Sequence, residues 1–549
     1  MTQSLDDRVL SRRHFVGVAA AITASVAIPG NESRGPVAVR PLDAPFSLGE
    51  QSIRDLSLGM TSGEYTARSI TLQYLDRIAL LDRMGPSLRY VIETNPDALV
   101  IADSLDAERR SGRIRGPMHG IPVLVKDNID TADRMTTTAG SLALEGSVAV
   151  RDAHIVERLR AAGAIILGKA NLSEWANFRS THSSSGWSAR GGQARNPYAL
   201  DRTPSGSSSG SAGAVAANYC AVAVGTETDG SITSPAAACS IVGLKPTIGL
   251  VSRSGIIPIA HTQDTAGPMA RTVTDAAILL GVLAGADPRD VATGRAPRST
   301  PTDYTRFLDA NGLRGARIGV ARKKYTGYST VADAHFETAL GVMKERGAII
   351  VDPADIRTAG TFDDAEYEVL LFEFKADLQA YLAGLPAGAR ARTLDDLIAF
   401  NRAHAREETP FFGQEIFEQA AKKGPLSSAA YRQALASCGR LARVQGLDAT
   451  FATHRLDAIV APTQGPPALI DLVNGDPSAP SSTSPSAVAG YPAITVPMGY
   501  ARGLPLGITF MGKAWGERTL LKLAFAFEQA TRMRVPPQFL PTANLNAPV

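Results

Sequence analysis

Cysteine is scarce in this chain. Cys220, Cys239 and Cys438 are the three present in 549 residues, and no C-x-x-C pair occurs. An odd number cannot all pair, so no disulfide framework is expected. Cys220 and Cys239, in apolar small-residue surroundings, read as buried thiols. The eight histidines show no metal-ligand spacing, so neither a metal site nor a cofactor is expected. Charged residues make up only 20% of the chain, the net charge is +3, and no basic run carries interleaved aromatics. That composition lacks the footprint of a nucleic-acid binder. What is plentiful is small and apolar: 50 glycines and a hydrophobic fraction of 44% support a large core and exclude a disordered chain.

The chain opens on Ser11-Arg12-Arg13-His14-Phe15, which matches the twin-arginine export pattern. The uncharged stretch from Phe15 to Ile28 is too short for a comfortable membrane span, and Ser25 and Ala27 suit peptidase cleavage. Residues 1–27 are therefore expected to be an export signal and 28–549 a single domain, periplasmic or extracellular. No cysteine precedes Cys220, so no lipid anchor is expected. A monomer without a stable membrane anchor is anticipated.

Past a linker read from Pro41 to Leu56, Thr61-Ser62-Gly63-Glu64 resembles a capping box. It would lead a helix with Tyr65, Ile70, Tyr74, Ile78 and Leu81 on one face. Helices near 96–112 and 152–162 flank apolar strands at Ile121–Val125 and Ala164–Leu167. Alternation of helix and buried strand through residue 250 predicts an α/β fold, one large mixed sheet covered by helices on both faces. Residues 300–450 read as helix-rich, a region that could cover substrate. Phe372, Phe374, Phe411 and Phe412 in it read as core packing. Strands return at 457–463, 490–498 and 506–512, and Glu517–Thr531 reads as a closing helix.

The stretch from Pro204 to Thr247 organises the rest. Ser205 to Ser211 form a loop of small residues that can bring N–H groups and hydroxyls close to a bound group. An Ala-rich helix (212–218) and a short strand (Ala221–Val224) follow. The chain then breaks at Gly225 into the turn Thr226-Glu227-Thr228-Asp229-Gly230-Ser231, and Pro235 reads as the start of another helix. Upstream, Gly120-Ile121-Pro122-Val123-Leu124-Val125-Lys126-Asp127-Asn128 is an apolar strand ending in a lysine. Burial there disfavours an ammonium, which makes a neutral, basic amine attainable.

These segments, in this order, resemble the amidase signature family from about residue 50 to 530. The resemblance implies a Ser–cis-Ser–Lys triad that hydrolyses amides, with Ser231 as nucleophile, Ser207 as the serine behind a cis peptide bond, and Lys126 as base. It also implies an oxyanion hole made by backbone N–H groups of Thr228, Asp229, Gly230 and Ser231. Members acting on glutamine-like carboxylates carry an arginine two positions after the nucleophile, where this chain has Thr233. The wording PSGSSSGS, GTETDGSITSPAA and SRSGIIPIAHTQDTAGPMAR is most similar to bacterial members that remove the C-terminal carboxamide of peptides and release ammonia. Aryl acylamides, fatty or small carboxamides and esters remain alternative substrates, and an anion-binding protein without catalysis is the third reading.

Two motifs do not carry over. Gly206-Ser207-Ser208-Ser209-Gly210 fits G-x-S-x-G, yet a turn-rich segment precedes it where a nucleophile elbow needs a buried strand. Gly163 to Ala170 nearly spells a P-loop, but Ala170 offers no hydroxyl for magnesium and Ala164–Leu167 is strand-like. Lys169 therefore reads as a structural or site-rim residue.

Overall fold

Strand periodicity and burial fix a mixed sheet whose polar ends meet at the site. The computed structural model describes residues 46–386 and 388–546, so the export segment read over 1–27 lies outside the described residues. Among the described residues the strands, in chain order, are β1 (Val91–Thr94), β2 (Pro122–Lys126), β3 (Ile165–Ala170), β4 (Trp187–Ser188), β5 (Gly192–Gln193), β6 (Val222–Glu227) and β7 (Val242–Lys245). They continue with β8 (Thr265–Ala270), β9 (Arg317–Val320), β10 (Ile349–Val351), β11 (Ala458–Pro462), β12 (Ala493–Ala501) and β13 (Leu504–Met511). Eleven of these form one sheet in the order β1-β3-β2-β6-β8-β7-β12-β13-β11-β9-β10, and β4 with β5 forms a small ribbon.

The expected α/β architecture is what forms. β2 pairs parallel with both β3 and β6, and β9 pairs parallel with β10 and β11, while the middle of the sheet is antiparallel. Every residue of β2, β3 and β6 is buried. Because successive strand residues face opposite sides, both faces of the sheet are covered there. Helices His154–Ala161 and Ser209–Ala216 lie in the chain ahead of β3 and β6. No helix among the described residues is long and apolar enough to cross a membrane.

Local boundaries differ from expectation at several places. The first helix is Ile53–Ser62, within what reads as linker and capping box; it ends at Gly63, which has a left-handed φ of 83°. The capping box of the next helix, Ala67–Leu81, is formed by Thr66 and Ser69 instead. The loop helix starts at Ser209, ahead of the Ala-rich run, and the helix expected from Pro235 starts at Thr233. β3 runs on through Gly168 to Ala170, and β6 continues past Gly225 to Glu227. In β6, Gly225, Thr226 and Glu227 pair with Gly267, Ala266 and Thr265, so the backbone ladder holds residues whose side chains read as a turn. The closing helix is Glu517–Thr531, as expected.

The helix-rich region packs into two apolar clusters. Phe374 and Phe417 join Trp175, Ile257 and Ile259 in one, and Phe372, Tyr431 and Phe451 lie in the other. Phe372 and Phe374 are therefore core residues. Phe412 is buried and Phe411 is 41% exposed; both rings meet Trp187 edge-on. All three cysteines are buried free thiols.

Candidate active site

Lys126 is the last residue of β2 and is fully buried. Its Nζ lies 2.8 Å from Ser207 Oγ, 2.9 Å from Thr226 Oγ1 and 3.3 Å from the Thr226 carbonyl. Asn128 Nδ2 donates to the same Thr226 hydroxyl at 3.0 Å. Burial, set against the weaker opposing pull of Asp264 and Glu227, lowers the pKa of Lys126 to about 7. A neutral amine has two N–H donors and one lone pair. The two Thr226 oxygens take the donors, which leaves the lone pair for the hydroxyl proton of Ser207.

The other fully buried lysines are tied down differently. Lys169 Nζ donates to the Ile129 carbonyl and to Thr137 Oγ1 and lies 3.9 Å from Asp127. Lys245 Nζ donates to the Tyr491 carbonyl at 2.8 Å. Lys169 is thus structural, in line with rejecting the P-loop.

The Ser-rich loop is held on both sides. The Gly206–Ser207 peptide is cis. Ser173 N–H donates to the Ser207 carbonyl at 3.0 Å, and Ser208 N–H donates to the Ser231 carbonyl at 3.1 Å. Ser208 Oγ donates to the Thr226 carbonyl at 3.0 Å, and Ser211 Oγ to the Val224 carbonyl at 3.1 Å. The hydroxyls thereby stitch the loop to β6. At Gly206 the packing is too close for a side chain, since a Cβ there would stand 2.2 Å from Ser173 Oγ.

Ser231 sits in the turn after β6, next to Gly230, whose φ of 77° favours glycine. Glu227 shapes this turn: its Oε2 accepts from Ile232 N–H at 2.7 Å and from Thr233 N–H at 2.9 Å, capping the following helix. The N–H groups of Thr228, Asp229, Gly230 and Ser231 meet no acceptor among the described residues. They remain available to a negatively charged oxygen, the requirement of an oxyanion hole. Thr228 Oγ1 donates to Asp264 at 2.6 Å, and burial raises the Asp264 carboxyl to about 6.

A cavity of about 360 Å³ opens here, its wall including Asn128, Thr226, Thr228 and Asp264 on the polar side and Ile257, Ile259 and Ala176 on the apolar side. Ser231 is 8% exposed. The structure therefore brings Lys126 and Ser207 into direct contact and ties the Ser231 turn to the Ser207 loop through backbone. Sequence reasoning missed Thr226 and Asp264. Asp264 stands inside the QDTAGPM segment and Thr226 opens the segment that reads as a turn ending at Ser231, so both stand within the motifs themselves.

Among the described residues, His261, Glu373 and Asp377 bring possible ligand atoms within 4.8 Å of one another. Those atoms are already engaged: His261 Nδ1 is 2.8 Å from Asp377, Thr262 N–H donates to Glu373 Oε2, and Tyr431 OH to Glu373 Oε1.

Residues 69–521 match the family model described as Amidase. A crystal structure of native peptide amidase from Stenotrophomonas maltophilia is 52% identical, covers 90% of this chain and 100% of its own, and superposes with a TM-score of 0.86. The peptide amidase PAM in complex with the competitive inhibitor chymostatin superposes with a TM-score of 0.87 at 52% identity, over 89% of this chain and 99% of its own. A "probable amidase" of Arabidopsis thaliana is 44% identical over 91% of this chain and 93% of its own length.

Proposed function

Because this chain belongs to the amidase signature family and is an amide-hydrolysing enzyme, we propose that it removes the C-terminal carboxamide of peptides with Ser231, Ser207 and Lys126 as its triad. The observation that carries the triad is the contact of Lys126 Nζ with Ser207 Oγ at 2.8 Å, in a fully buried setting. Lys126, neutral, accepts the Ser207 proton while Ser207 accepts that of Ser231. Ser231 Oγ then bonds to the carboxamide carbon, and the carbonyl oxygen becomes an oxyanion facing the N–H groups of the Thr228–Ser231 turn. On collapse, the C–N bond breaks and the proton returns through Ser207 to the departing nitrogen, which leaves as ammonia. Water, deprotonated along the same route, hydrolyses the acyl–Ser231 ester and frees the acid.

Two features support peptide carboxamides over glutamine-like substrates. Likeness to the peptide amidase is one. The other is Thr233, where glutamine-type members place an arginine: its hydroxyl lies against Glu227 at 3.2 Å, so the position supplies no cation for a free carboxylate. Export through residues 1–27 would place the enzyme where peptides are scavenged. Ammonia release from an amidated dipeptide, set beside an anilide and the free-acid peptide, tests the substrate. Faster turnover of the anilide than of the amidated peptide would overturn it. Labelling of the wild type by a fluorophosphonate, lost in Ser231→Ala, tests the nucleophile.

A further inference from the structure

Outside the proposed triad, the turn that carries Ser231 is gripped by a second polar assembly. Asp229 and Glu366 are in direct side-chain contact. Asp229 Oδ1 also accepts from Thr483 Oγ1 at 2.6 Å. Glu366 Oε1 accepts from Gln263 Nε2 at 2.8 Å, and that amide lies 3.5 Å from the Thr228 carbonyl. Glu366 is 8% exposed and belongs to helix Asp363–Ala383 of the helix-rich region. Three separate segments, 263, 366 and 483, therefore converge on residues 228–230.

Two carboxylates in contact away from water cannot both be ionised, so the pair retains one proton. Burial raises both carboxyls; the Thr483 hydroxyl donated to Asp229 favours the charge on Asp229, which leaves the proton to Glu366. Glu366 then donates to Asp229, and its carbonyl oxygen takes the Gln263 amide. Lys245 lies near enough to Asp229 to favour its charge, and Asp363 faces Glu366 from the same helix. Residue 230 has no room for a side chain on this flank: a Cβ would stand 3.0 Å from Thr483 Oγ1 and 2.9 Å from Ser234 Oγ.

We infer that Glu366 is a positioning residue that, with Gln263 and Thr483, clamps the 228–230 turn so that the N–H groups of residues 229–231 point together at the reacting oxygen. The inference rests on the reading of the Ser231 turn given above. It concerns orientation of donors used in the transition state, so loss of the clamp should lower kcat and spare KM.

The test is steady-state hydrolysis of an amidated peptide. Glu366→Ala should lower kcat by about 100-fold, the scale of a lost oxyanion donor, with KM within about threefold. Glu366→Gln should recover kcat to within about tenfold of wild type, since its amide can accept from Gln263 and donate to Asp229 as the protonated acid does. A wild-type kcat in Glu366→Ala, or a Glu366→Gln as slow as Glu366→Ala, overturns the inference. Should Glu366→Ala fail to fold, Thr483→Val decides: lower kcat at unchanged KM supports the clamp, and wild-type kcat overturns it. Ser231→Ala distinguishes a failed nucleophile assignment from a failed clamp. If that variant turns over, the nucleophile assignment falls; if it is inactive while the clamp variants are normal, only the clamp falls.

Discussion

Lys126 Nζ lies 2.8 Å from Ser207 Oγ and forms no ion pair among the described residues, so its proton is held only by neutral oxygens. That arrangement separates it from a structural lysine such as Lys169, which has Asp127 at 3.9 Å. It also makes the amine the natural acceptor for the serine proton.

Activity should therefore follow the neutral form of Lys126. With a pKa lowered to about 7 by burial, kcat should rise with pH through a midpoint near 7 and level off above it. Lys126→Arg keeps a cation at every working pH and should lose about 10³-fold or more in kcat. A pH–rate profile of both proteins checks this, and an arginine variant with normal turnover would refute the base assignment.

The same burial costs stability, and the sign follows from proton counting. Above about pH 7 the folded chain has released the Lys126 proton, while the unfolded chain keeps it until near 10.5. Unfolding then takes up a proton, so the cost is greatest below pH 7 and is relieved as pH rises toward 10.5. At acid pH it is on the order of 4 kcal/mol, of which the Thr226 oxygens left unpaired by an apolar residue take back a part. Lys126→Met should melt higher than wild type, with the gap wider at pH 6 than at pH 9, while lacking turnover. Calorimetry at the two pH values checks it; a gap that widens with pH would contradict it.

Thr226 supplies two of the three contacts that orient the amine. Thr226→Val removes the hydroxyl, and with it an acceptor that an ammonium needs more than an amine does. The acid limb of the profile should move to lower pH, while plateau kcat falls by about tenfold through loss of orientation. Opposite movement of the limb would mean that Thr226 does not bind the charged form.

How much of this is legible in the sequence depends on whether the signal is local. The closing helix Glu517–Thr531 declares itself by an amphipathic repeat, and β2 by its unbroken apolar run. The first helix escapes such a reading because Ser62-Gly63 looks like a start while Gly63 is a left-handed stop. β6 reads too short because Thr226 and Glu227 are polar, yet the ladder with β8 and the buried partners Lys126, Ile232 and Thr233 hold them in the strand. Lys126, Ser207 and Ser231 are readable through family wording. Glu366 is not, because its contact with Asp229 is made by the fold across a long stretch of chain and no local pattern marks it.

Gly206 offers a test of the loop that is independent of any proton. A methyl group at residue 206 would stand 2.2 Å from Ser173 Oγ and 3.1 Å from Ser185 Oγ and Ser209 Oγ. Turning the Ser173 hydroxyl away would break the bond its Oγ accepts from Gly186 N–H at 2.9 Å. Overpacking of this kind costs about 1–3 kcal/mol, and here the strain falls on the backbone that presents Ser207 to Lys126. Gly206→Ala should therefore lower kcat far more than it lowers the melting temperature. Adding Ser173→Gly, which removes the nearest of the opposing hydroxyls, should restore part of the lost kcat. Kinetics and melting of the single and double variants check the claim, and a Gly206→Ala enzyme with wild-type kcat would show that the close packing there does not position Ser207.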